Sequence, residues 1–134
     1  MSSTVRHNPA LLWLDLVELV DRAVTRFKLT RSPILEPIRR RSGITMDGKA
    51  DKYPPRIQLR LYRYNRPNQA FAMSTVMAIL AHELAHFVKG GWDHGPEHRR
   101  ITREVAAWIR EQGYPVSTQL FAGTGRNRIK KRVR

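Results

Sequence analysis

The sequence predicts an α+β domain, in which a small, partly antiparallel sheet is covered by three main helices. Three observations predict it. Apolar residues recur at helical spacing near residues 9–28 and 96–111, and a third segment, 74–89, is free of Pro and Gly and rich in helix formers. Ahead of that third segment, Arg56 to Tyr64 alternates with period two. The stretch from 29 to 55 is broken by Pro33, Pro37, Pro54, Pro55, Gly43 and Gly48, and reads as irregular. With 134 residues, the chain is long enough for a single modest core. The expected domain covers residues 1–116, and a flexible basic tail covers 117–134.

The first helix starts at Asn8-Pro9, a capping side chain followed by proline at the first helical position. Leu12, Leu16, Val20, Val24 and Phe27 form its apolar stripe, with Leu14 and Val17 beside them. Ile44-Thr45-Met46 predicts a short strand before a turn at Asp47-Gly48. In the alternating segment, Ile57, Leu59 and Leu61 should face the core. Gln58, Arg60, Tyr62 and Tyr64 should face outward. This strand precedes the second helix, so it is a candidate edge for docking an extended peptide.

The second helix is free of Pro and Gly from Ser74 to Lys89 and is rich in Ala, Leu and Met. It contains His82-Glu83-Leu84-Ala85-His86, the HExxH pattern. At 3.6 residues per turn, His82 and His86 project from one face and can grip one Zn²⁺. Glu83 falls beside the metal, where it can take a proton from water and pass it to a leaving amine. Catalytic zinc needs a third protein ligand. His94 is the leading candidate, with His98, Asp93 and Glu97 as alternatives. Gly90 and Gly91 let the chain turn back toward the helix. Pro96 opens the third helix, whose stripe is Ile101, Val105, Trp108 and Ile109. Gly113 ends it.

The chain has no cysteine, which excludes disulfides, cysteine catalysis and zinc ribbons. No apolar run is long enough to cross a membrane. Asp15 and Glu18 interrupt the only run resembling a signal sequence, so an intracellular protein is expected. The net charge of +14 is concentrated in residues 31–66 and in the tail. That balance predicts a nucleic-acid partner, without separating DNA from RNA, and Arg39, Arg40, Arg41, Arg60, Lys130, Lys131 and Arg132 are the candidate contacts.

His82-Glu83-Leu84-Ala85-His86 followed by His94-Gly95-Pro96-Glu97 resembles the SprT-like and WLM zinc metalloproteases, over roughly residues 55–112. The resemblance implies a minimal zincin-like domain with HExxH on its central helix. It further implies zinc on His82, His86 and His94, Glu83 as general base, and a protein or peptide substrate. Families of this kind include proteases acting on proteins bound or crosslinked to DNA, so the resemblance implies DNA more than RNA as the nucleic-acid partner. Two departures stand out: there is no C-terminal zinc ribbon, and His98 occupies a position where an aromatic is common. Gly91-Trp92-Asp93-His94 also resembles the end of the YbeY-type zinc endoribonuclease motif. However, the gap from His86 to His94 is longer than in that motif, and Glu83 stands where that family has Gly. A non-catalytic basic nucleic-acid-binding protein with a zinc site is the third reading.

Overall fold

The computed structural model describes residues 9–29, 31–39, 46–63, 69–89 and 91–118. Three helices and three short strands follow in the order α1 (Pro9–Arg26), β1 (Ile34–Pro37), β2 (Gly48–Asp51), β3 (Arg56–Leu59), α2 (Met73–Ala85) and α3 (Pro96–Glu111). The α+β architecture expected from the periodicities is present. Asn8, Arg40, Arg41, Ile44, Thr45, Tyr64, Gly90 and the tail from 119, including Lys130, Lys131 and Arg132, lie outside the described residues.

In α1, Leu12, Leu16, Leu19, Val20 and Ala23 are buried. They recur at three- and four-residue steps and form one stripe. Leu14 and Val17, expected beside that stripe, are 66% and 39% exposed. Each residue advances about 100° around the helix, so Leu14 stands on the far side from Leu12. The helix stops at Arg26, a little short of the expected 28, and Lys28 takes a positive φ of 55°.

The sheet has the order β1-β3-β2, with β1 parallel and β2 antiparallel to β3. The alternating segment is therefore the central strand, not the docking edge proposed for it. It also ends early, at Leu59, and beyond it Tyr62 bridges Ala70 in a separate antiparallel contact. Ile57 and Leu59 are fully buried, as the alternation requires. Arg60 is a correction. Expected to face solvent, it is only 2% exposed. Its Nε donates to the Met46 carbonyl at 3.4 Å and lies 3.7 Å from Asp47 Oδ1. Alternation gives the face a side chain takes, but not whether another segment covers that face. A guanidinium so enclosed needs its partners, and it is a poor surface contact for a phosphate.

α2 sits at the centre, packed on α3, β2, β3 and α1. Nine of its thirteen residues are buried, so it has no polar face to give water. Burial, more than propensity, holds such a helix. α3 has the bounds expected from Pro96 and Gly113, and buries Ile101, Val105, Trp108 and Ile109 as predicted. No described helix is long and apolar enough to cross a membrane.

Candidate metal centre

HExxH lies at the end of α2, where the α-helix tightens. The His86 N–H would reach the His82 carbonyl in a continuing α-helix, but it donates to Glu83 at 3.2 Å. Phe87 and Val88 likewise donate three residues back, to Leu84 and Ala85. This is a 3₁₀ ending. The chain then crosses the helix end through Gly91. A Cβ there would stand 2.0 Å from the Ala85 carbonyl oxygen, so only glycine fits. This crossing returns Trp92 and His94 to the helix.

Four histidines converge as a result: His82, His86, His94 and His98, with one ring nitrogen from each lying within 4.8 Å of the others. Such a group can hold a metal ion. The fit can be tested by distance. Two nitrogens bound tetrahedrally at about 2.0–2.1 Å from zinc are about 3.3 Å apart. His82 Nε2 and His94 Nε2 are 3.2 Å apart. The donor set is all nitrogen, which suits zinc and other borderline metals.

The hydrogen bonds fix which nitrogens are available. His86 Nδ1 lies 2.8 Å from the Trp92 carbonyl oxygen. A carbonyl only accepts, so Nδ1 carries the proton and Nε2 keeps its lone pair. His98 Nε2 is 2.9 Å from the His82 carbonyl oxygen, so this nitrogen also donates. The acceptor is the very carbonyl released by the 3₁₀ ending. His98 is 2% exposed and its ring stacks on His86 with centroids 4.3 Å apart. It therefore ties α3 to the histidine-bearing end of α2.

Burial pushes the His86 pKa down to about 4, helped by the neighbouring His98 and His94 and opposed by the carbonyls of Trp92 and Gly91. His86 is thus neutral at pH 7, the form that binds a metal. The shift also has a consequence for the metal-free protein. The unfolded chain protonates His86 near 6.5, the folded chain only near 4. Between these values the unfolded state holds the extra proton, so stability falls as pH drops through 6.5 and the loss levels off below about 4. At about 1.4 kcal/mol per unit, His86 alone removes up to about 3 kcal/mol. Urea unfolding of the metal-free chain at pH 7.5 and 4.5 measures this. His86→Asn should have a shallower pH dependence, and equal slopes would refute the assignment.

Glu83 is 6% exposed, with Oε1 4.0 Å from His86 Nε2. It lies between α2 and β2. A Cβ at Gly48 would be 2.7 Å from Glu83 Oε2 and 2.6 Å from Ile79 Cγ2. Gly48 thus lets the edge strand close over the carboxylate. Nothing in the sequence marks Gly48 for this beyond an isolated glycine in a strand, a sign of close approach.

Of the alternative third ligands, His98 lies inside the four-histidine group. Asp93 and Glu97 are exposed and fall outside the four-histidine group. The Glu97 carboxylate is engaged by Arg100, which holds it below its usual pKa. Arg39 is exposed but stands alone among the predicted basic contacts within the described residues, since Arg60 is buried and the others are outside them.

No protein-family model matches the chain, and no curated protein matches it in sequence. Two solved structures do match in fold. A Wss1 mutant from Saccharomyces cerevisiae is 20% identical, with a TM-score of 0.58, over 78% of this chain and 81% of that one. Wss1 from the same organism is 21% identical, with a TM-score of 0.57, over 75% and 77%. The likeness shows a shared fold.

Proposed function

We propose that this chain is a zinc-dependent metallopeptidase of SprT-like type. The observation that carries the reading is the convergence of HExxH with His94, at tetrahedral nitrogen spacing, beside a buried carboxylate that is not part of the histidine group. The motif's resemblance to SprT-like and WLM enzymes and the fold shared with yeast Wss1 support it.

His82, His86 and His94 would hold the metal through Nε2, with His98 behind them. When bound, zinc supplies Lewis-acid polarisation of a carbonyl and a lowered pKa for water. Glu83 accepts the proton of the attacking water and returns it to the leaving amine. The Trp92 carbonyl holds His86 in the required tautomer. A substrate strand would pair with β2, the edge strand on the side of α2 and Glu83. The +14 charge favours substrates associated with nucleic acid, inside the cell.

The test is hydrolysis of an unfolded protein by the purified chain, with zinc measured by elemental analysis. About one zinc per chain is expected. Removing it with a chelator should abolish cleavage, and adding zinc should restore it. Cleavage of RNA with no cleavage of protein would favour the endoribonuclease reading. Binding of DNA that ignores chelation, with no hydrolysis of either polymer, would favour a non-catalytic binding protein.

A further inference from the structure

We propose that the cavity beside the metal centre is a substrate subsite for an acidic side chain, Asp or Glu, lying within a few residues of the bond to be cut. This rests on the peptidase reading and adds a substrate class to it. The cavity has a volume of about 350 Å³. Arg31, Lys52 and Lys89 line it, against a single carboxylate, Asp93. His86 and Trp92 also line it, so it adjoins the metal cluster directly.

The three cations differ from those held in ion pairs. Arg22, Arg56 and Arg100 are neutralised by neighbouring carboxylates. Among the described residues, none of the ion pairs involves Arg31, Lys52 or Lys89. Two of them lie instead over aromatic rings: the Arg31 guanidinium carbon is 4.5 Å from the Tyr53 ring centroid, and Lys52 Nζ is 5.2 Å from that of Trp92. A ring face positions a cation without cancelling its charge. The guanidinium and ammonium donors therefore remain available to an incoming anion.

The same contacts argue for a carboxylate over a nucleobase. Stacking a base needs an open ring face. Trp92 has Lys52 over it, and its ring also meets His86 at 5.3 Å and Phe87 at 5.5 Å. Tyr53 carries Arg31. A compact anion needs only the cations.

The position follows from chain order. Lys52 is the residue after the last of β2, and Gly48, its first, abuts Glu83. A peptide added to that edge advances about 3.3 Å per residue, so it runs from the catalytic carboxylate to the cavity within about four residues.

Two measurements test this. The zinc-loaded full chain is allowed to cleave a mixed library of natural-sequence peptides, and the cut sites are sequenced. Separately, binding to zinc-loaded Glu83→Gln is measured for an acetylated, alanine-rich decapeptide carrying one Glu, and for its Gln twin. The expected results are at least a fivefold enrichment of Asp and Glu at one fixed position near the cut, and about tenfold tighter binding of the Glu peptide. Both preferences should vanish in Arg31→Glu/Lys52→Glu and weaken strongly in 1 M salt. Cleavage with no acidic preference, or a preference that survives the double reversal, overturns the proposal while leaving the peptidase intact. If nothing is cleaved, the peptidase reading fails and the Glu-against-Gln difference alone decides whether the cavity is an acid site. Displacement of the Glu peptide by decathymidylate acting through these same three cations would reassign the cavity to nucleic acid, and would overturn the proposal.

Discussion

Replacing Glu83 with Gln is expected to lower kcat for peptide hydrolysis by about 10²- to 10⁴-fold, with zinc content unchanged at about one per chain. The two halves of this expectation have separate causes. Activity falls because Gln keeps the shape of Glu but cannot accept a proton from water at neutral pH. Zinc stays because the metal-competent group is four histidines and does not include Glu83. The substitution should not unfold the chain. Glu83 is 6% exposed and packed against β2, where a neutral amide of equal size costs less to bury than a carboxylate. Side-by-side measurement of kcat, metal content and urea midpoint therefore separates chemistry from structure. Activity within tenfold of wild type would remove Glu83 from the general-base role. Lost peptide cleavage with RNA cleavage intact would point to the nuclease reading.

How much of this site was legible in the sequence depends on how local each feature is. His82 and His86 are four residues apart on a helix, so their shared face follows from helix geometry alone. The bounds of α3 were legible for the same reason, with Pro96 at one end and Gly113 at the other. The two flanking strands were not. β1 and β2 are four residues each, contain Pro37 and Gly48, and are too short for a periodic signal. Because they were missed, the central β3 looked like an edge. Arg60 shows the same limit, since Met46 and Asp47, which enclose it, are far away in the chain. The role of His98 was hidden more deeply. Its partner is a backbone carbonyl made available by the way α2 ends, and no residue pattern encodes that. The cationic cavity gathers Arg31, Lys52 and Lys89 from three separate segments, which only the fold brings together.

His94→Ala should lower zinc affinity by at least about 100-fold, whereas His98→Gln should change it by no more than about threefold. The contrast follows from where each ring sits: His94 faces His82 across the site, whereas His98 is buried, stacked on His86 and tied to the backbone. Tightly bound zinc is held by roughly 10–16 kcal/mol in all. One lost donor among the three histidines is then at least about 3 kcal/mol, which is more than two powers of ten. His94 Nε2 stands 3.2 Å from His82 Nε2, at the spacing of two ligands on one ion. His98 Nε2 is turned to the His82 carbonyl at 2.9 Å. Gln can place an N–H near that nitrogen and preserve the tie, so affinity should be kept. His98→Phe keeps a ring against His86 but removes the donor, and should cost about tenfold through the loosened helix end. Replacing zinc with cobalt gives a readout that stability alone does not move. The visible absorption of the cobalt protein should change in His94→Ala and stay as wild type in His98→Gln. A cobalt spectrum altered in His98→Gln, with affinity falling as far as in His94→Ala, would instead make His98 a metal ligand.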